Sequence, residues 1–185
     1  MNNIGLILGS SRQNGWTRKV AQALTELAPQ GVALRRIEVA DLPLYREELE
    51  EPSPPEQWLR FRAEVREVDA VLFVTPEHNR SVPAALKNAI DIGSSPDDQS
   101  VWERKPAAIA SHSPGRLGGF GANHHLRQSL VFLDMPVLQQ PEVYLSEVEK
   151  LFDAEGRLID ASAREYLSGF LRAFSEWVLR VTTRR

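Results

Sequence analysis

The chain has 185 residues, 42% of them hydrophobic and 25% charged, a size and balance that suit one globular domain with a substantial core. A net charge of −3 gives no electrostatic case for nucleic acid or an anionic membrane as main partner, and with no cysteine there are no disulfides, thiol redox chemistry or Cys-ligated metals. Any redox function must therefore use a bound cofactor. The first residues enter a strand at once and no apolar run reaches the length of a membrane span, so the expectation is a cytoplasmic protein without a signal peptide.

Ile4 to Leu8 is a branched apolar run of the kind found in strands buried on both faces. It stops at Gly9, and a polar loop, Ser10 to Gly15, leads into a helical pattern from Trp16, with Val20, Leu24 and Leu27 spaced by four and three. A strand that passes through a polar, Gly-bounded loop into a helix start is a device for holding an anion, because free amides and the positive helix end converge there. Ser10, Ser11 and Thr17 add hydroxyls and Arg12 a permanent charge. Gly15 is not followed by Lys-Ser or Lys-Thr, which disfavours a nucleoside triphosphate, and the three glycines of a dinucleotide fingerprint are not present. A terminal phosphate monoester such as that of FMN fits what remains; the plainer alternative is a serine-rich turn that binds nothing.

Farther along, Val32 to Val39 reads as a second strand, and Ser53 to Glu56 as a capping box opening a helix to about Glu67. Ala70 to Thr75 is the clearest central strand. The loop Pro76 to Val82 precedes a helix from Pro83 to about Ile92, and Trp102 anchors the polar stretch that follows. Pro106 to Ser111 makes a fourth strand, the glycine-rich loop Ser113 to Gly121 follows, and a helix covers about Asn123 to Leu133. A short fifth strand is expected near Pro136 to Leu138, with extended chain to Tyr144. Ser162 and Glu165 form a second capping box before a last helix whose Tyr166, Phe170, Phe174, Trp177 and Val181 read as core packing.

Strands and helices alternate throughout, which predicts an α/β, flavodoxin-like, three-layer doubly wound fold with a five-stranded parallel sheet in the order 2-1-3-4-5. In such sheets the ligand lies beyond the C-terminal strand ends at the switch point. The loops after strands 1, 3 and 4 all fall at that edge. The second loop offers donors from Glu77 to Ser81 along a flat edge, as the heteroatoms of a flavin ring require. The third, Ser113 to Gly119, lets backbone approach closely.

These pieces resemble the NAD(P)H-dependent FMN reductase family, in particular its bacterial quinone and chromate reductase branch. The likeness runs through Gly9 to Arg12, Asp41 to Tyr45, Pro76 to Ser81, Leu86 to Asp91, Gly118-Gly119, His125 to Gln128, Val131 to Asp134 and Pro141-Glu142. It implies a single FMN-binding domain over residues 1–185, assembled as a homodimer or homotetramer. It also implies a two-stroke (ping-pong) cycle from NADPH or NADH through FMN to a quinone, free flavin, azo compound or chromate. By the same resemblance Ser10, Arg12, Trp16 and Thr17 hold the phosphate, Pro76, Glu77, His78, Asn79 and Ser81 line the ring, and Ser113, Gly115, Gly118 and Gly119 close over it. No side chain need serve as acid or base, because the cofactor carries the chemistry. The chain departs from the family's pattern at His78, Gly121 and His124, where relatives often have Tyr, Arg and Tyr, and at Thr17, where they have Asn.

Rival readings are weaker. His124 and His125 are adjacent on a helix and project about 100° apart, and no metal-ligand spacing exists, so no metal is expected. His112-Ser113 lacks the nucleophile elbow of a hydrolase. Lys87 and Asp91 fit a helix ion pair. A non-enzymatic, flavodoxin-like FMN electron carrier is the alternative function; against it stand the glycines of the third loop and the small net charge.

Overall fold

The computed structural model describes residues 2–183. Its strands are β1 (Asn2–Leu8), β2 (Val32–Ile37), β3 (Ala70–Pro76), β4 (Ala107–His112) and β5 (Val143–Leu145), and its helices are α1 (Trp16–Glu26), α2 (Glu56–Arg66), α3 (Ala84–Ser94), α4 (Phe120–Phe132) and α5 (Ala161–Thr182). All strand pairs are parallel and the sheet order is β2-β1-β3-β4-β5, as the alternation of patterns predicts.

Period-two alternation divides the apolar residues between two cores. Ile4, Leu6 and Leu8 of β1 and Leu72 and Val74 of β3 pack against α1 and α5 through Val20, Leu24, Leu167, Phe170 and Phe174. Ile7, Val71, Phe73 and Ile109 face the other way, onto Trp58, Phe61, Leu86, Ile90 and Leu126 of α2, α3 and α4. Trp102 is fully buried there, its Nε1 donating to the Ile90 carbonyl at 2.9 Å, and Gly93 is what lets its ring fit: a Cβ would stand 2.5 Å from the indole. Arg62 is also buried, held by the Glu50 carboxylate (2.5 Å) and the Ile92 carbonyl (2.9 Å), which pins the acidic connection before α2 to the body. Lys87 and Asp91 pair at 2.6 Å.

Several expectations from the sequence shift. β2 ends at Ile37, two residues before Val39, at an edge where Arg35 and Arg36 are exposed. The fifth strand is Val143–Leu145 and not Pro136 to Leu138: Pro136 has no amide to donate, Val137 makes a single bridge to Ala107, and the ladder resumes only opposite Ala110–His112. Neither Ser-x-x-Glu capping box forms. Pro55 occupies the cap of α2 in an extended conformation, and at α5 the Asp160 carboxylate takes the cap, accepting from the Ala163 amide at 2.7 Å. In the last helix Phe170 and Phe174 are buried, Trp177 is half-buried with its Nε1 donating to the Pro136 carbonyl, and Tyr166 lies at the surface, donating to the Glu142 carbonyl.

Candidate active site

The carboxyl ends of β1, β3 and β4 lie side by side, Leu8 in register with Val74 and Pro76 with His112. The segments leaving them enclose a cavity of about 560 Å³, within the roughly 300–1,000 Å³ range of small-molecule sites. Its walls are Ser10, Arg12, Asn14, Gly15, Trp16 and Thr17 from the first loop and α1, Pro76, Glu77 and His78 from the second loop, and His112 and Pro114 at the end of β4. Hollows of about 720 Å³ over α1 and the β1–β2 edge and about 620 Å³ between α3 and α4 are larger, but neither gathers the three strand ends. Convergence, not size, locates the site.

The first loop turns off β1 at Gly9, where a Cβ would stand 2.6 Å from Thr75 Oγ1, so only glycine lets the two central strands end together. Gly15 caps α1 and, among the described residues, no side-chain cap bond reaches the first turn. That leaves a helix start whose N–H groups face an outside acceptor. Arg12 is exposed and, among the described residues, has no ion-pair partner; its carbonyl accepts from Arg18 Nε at 3.2 Å. Trp16 packs against Phe152, ring centroids 6.0 Å apart, with the Lys19 ammonium 4.2 Å from its own centroid. Thr17 Oγ1 and His112 Nε2 are 2.8 Å apart, and both residues are buried, at 2% and 3% exposure. Burial pushes the His112 imidazole down to about 4, so the ring is neutral at physiological pH. Among the described residues its Nδ1 has no hydrogen-bond partner.

The second loop is a tight hairpin turn. His78 and Ser81 exchange backbone bonds of 3.0 and 2.9 Å, with Asn79 and Arg80 both left-handed, as a primed turn requires. The Glu77 carboxylate accepts from the Ala122 amide at 3.1 Å and so caps α4 from a neighbouring element. Gly121 makes room for this, since a Cβ there would stand 2.6 Å from the Arg80 carbonyl oxygen. In the third loop Gly118 and Gly119 are buried and left-handed; a Cβ on Gly118 would stand 2.6 Å from the Tyr144 carbonyl carbon. Gly119 is the cap residue of α4, which starts at Phe120, ahead of the expected Asn123.

Of the residues assigned to the site from sequence, the structure brings Ser10, Arg12, Trp16, Thr17, Pro76, Glu77 and His78 onto one cavity wall. The other six stand off it. Asn79 is at the exposed tip of the hairpin, Ser81 turns its hydroxyl to His125 Nδ1 (3.0 Å), and Ser113 bonds the Gly115 amide (3.0 Å) beside the buried glycines. Asn14, Pro114 and His112 are on the wall without having been assigned. The strand pattern carried the signal for His112: extending the fourth strand by one residue sets it at the edge.

The chain matches the sequence profile of the NADPH-dependent FMN reductase family over residues 2–150. It is 56% identical over 176 residues to a quinone reductase of Pseudomonas putida, spanning 95% of this chain and 94% of the relative. It is 42% identical over 175 residues to an NAD(P)H-dependent FMN reductase of Pseudomonas aeruginosa, again over 95% and 94%. Among solved structures, the flavoenzyme NAD(P)H:(acceptor) oxidoreductase FerB of Paracoccus denitrificans superimposes with a TM-score of 0.91 at 32% identity, over 97% of this chain and 98% of that one. Sheet order, the loops converging at one edge and these likenesses agree: the chain belongs to the NADPH-dependent FMN reductase family.

Proposed function

We propose that the protein binds FMN in the cavity at the strand ends and uses it to oxidise NADPH or NADH at the expense of a quinone, in two half-reactions that share one face of the site. The balance is NAD(P)H, a proton and quinone giving NAD(P)⁺ and hydroquinone. FMN, when bound, supplies the hydride-accepting and electron-donating chemistry. The residues fit that group: an uncapped helix start, the charge of Arg12 and the hydroxyls of Ser10 and Thr17 make a phosphate cradle of the right chemistry. Pro76, Glu77 and His78 would border the ring, with Asn79 and Ser81 shaping their turn. Ser113, Gly115, Gly118 and Gly119 hold the third loop near the strand ends from behind. Free flavin, azo compounds and chromate are further acceptors that an open ring face admits. We also read the chain as one FMN-binding unit working as a homodimer or homotetramer.

The observation that carries this reading is the meeting of an uncapped helix start with two other strand ends in one cavity. Initial rates with NADPH and a benzoquinone test it. Flavin-loaded protein should give parallel double-reciprocal lines as the quinone is varied, and its flavin absorbance should bleach with NADPH alone. Flavin that binds but never bleaches with NADPH or NADH would identify an electron carrier instead.

A further inference from the structure

The Thr17–His112 pair has one hydrogen too many for the protein around it. A neutral imidazole carries one N–H, the Thr17 hydroxyl carries one O–H, and the two residues share a single hydrogen bond. Among the described residues neither side chain has another partner. One donor is therefore left over, and which one depends on the tautomer. If Nδ1 holds the proton, the hydroxyl donates to Nε2 and a fully buried Nδ1–H is stranded out of reach of solvent and cavity alike. If Nε2 holds it, the ring donates to Thr17 and the hydroxyl proton is free. Thr17 lies in the first turn of α1, on the cavity wall beside Arg12 and Ser10. Only the second arrangement places the spare donor where an oxygen-rich ligand can accept it.

We infer that His112 is a positioning residue. Its Nε2–H fixes Thr17 as acceptor on one side, so that the Thr17 hydroxyl donates to the phosphate of FMN at the start of α1. This rests on the FMN reading above and adds to it a buried residue of β4 that acts on the phosphate through a residue of α1. The burial that keeps the ring neutral supports the arrangement, because an imidazole with a single hydrogen has to choose a side. The pair thereby becomes a determinant of selectivity for the phosphorylated flavin over the dephosphorylated one.

The test uses the full chain stripped of flavin and titrated with FMN and with riboflavin, followed by flavin fluorescence. His112→Leu and Thr17→Val should each weaken FMN about tenfold or more, the loss expected for a bond to a charged acceptor, and change riboflavin affinity by less than about twofold. His112→Gln, which keeps an N–H near the place of Nε2, should recover most of the FMN affinity. Ring ¹⁵N spectra of histidine-labelled protein with FMN bound should show His112 protonated at Nε2. Equal loss of both flavins, no recovery in His112→Gln, or an Nδ1–H tautomer would overturn the positioning role while leaving the FMN reading intact. Failure of the parent chain to bind either flavin would remove both. Should His112→Leu not fold, Thr17→Val and the parent spectrum still decide.

Discussion

The first loop and the other two loops reach the same cavity but are built in opposite ways. Within the first, Arg12 N reaches Ser10 Oγ at 3.3 Å and Gly15 N reaches the Arg12 carbonyl at 3.3 Å, both long bonds between exposed or half-exposed groups. The second and third loops are knitted to the body. The His78–Ser81 hairpin closes on itself, Glu77 caps α4, and Ser111 Oγ holds the Gly118 carbonyl at 2.9 Å. Ser113 and Leu145 bond through their backbones at 3.0 Å, and Ser146 Oγ holds the Arg116 carbonyl at 2.7 Å. The difference assigns the work. If FMN binds as proposed, the knitted loops would supply the walls and the first loop the donors that meet the ligand.

That contrast can be broken at either end. The largest effect belongs to the knitted side: Gly118→Ala adds a left-handed penalty of ~1–2 kcal/mol to a 2.6 Å approach on the Tyr144 backbone. Urea unfolding should show a loss of about 3 kcal/mol or more. Gly31→Ala is the control, because φ is +86° but nothing stands within 4 Å of the new methyl. It should cost only the left-handed part. Equal losses at the two glycines would refute the packing argument.

At the seam between the regions, His112 ties stability to acid. Its imidazole is held near 4 in the fold against 6.5 ordinarily, so between those values the unfolded chain binds the extra proton. The contribution is complete above pH 6.5 and is lost as pH falls toward 4. It amounts to something on the order of 3 kcal/mol. Unfolding free energies of the parent should therefore drop more steeply across that window than those of His112→Gln; matching acid slopes would count against the buried neutral ring.

On the loose side, Arg12→Ala should cut FMN retention after dialysis, with affinity weaker by about 1.5–3 kcal/mol, yet leave the unfolding midpoint almost unmoved. Equal flavin content in mutant and parent would show that the first loop does not hold the phosphate. The smallest effect is that of Glu77→Ala, which uncaps α4 and should cost about 1 kcal/mol of stability. FMN should then bind slightly weaker, because the hairpin is no longer fastened to the helix.

Sheet order and the layering of helices were legible because continuous apolar runs such as Ile4 to Leu8 and Val71 to Val74 alternate with helical spacing, and parallel order follows from crossover rules. The fifth strand was not, since the three residues Val143–Leu145 carry too little pattern and their pairing is set by the end of β4 they lie against. Ser53 and Ser162 matched a capping pattern that lost to Pro55 and Asp160, competitors visible in the sequence but ranked only by geometry. In the site, polar residues beside a strand end were readable as cavity wall. The glycines of the third loop were readable as close approach, yet what they approach is Tyr144 and the His112 backbone, which no local pattern announces. His112 itself looked like the first residue of a loop; its burial comes from α1, some ninety-five positions earlier in the chain.

The helix after β4 has its start answered by the protein's own carboxylate, Glu77, whereas Gly15 brings no side chain to the start of α1. An oxyanion entering the cavity at the three strand ends therefore meets the helix start of α1. Sulfate or inorganic phosphate in a buffer should compete with FMN as a simple one-to-one inhibitor, and the nucleotide should dock in a single direction, tail first toward Gly15.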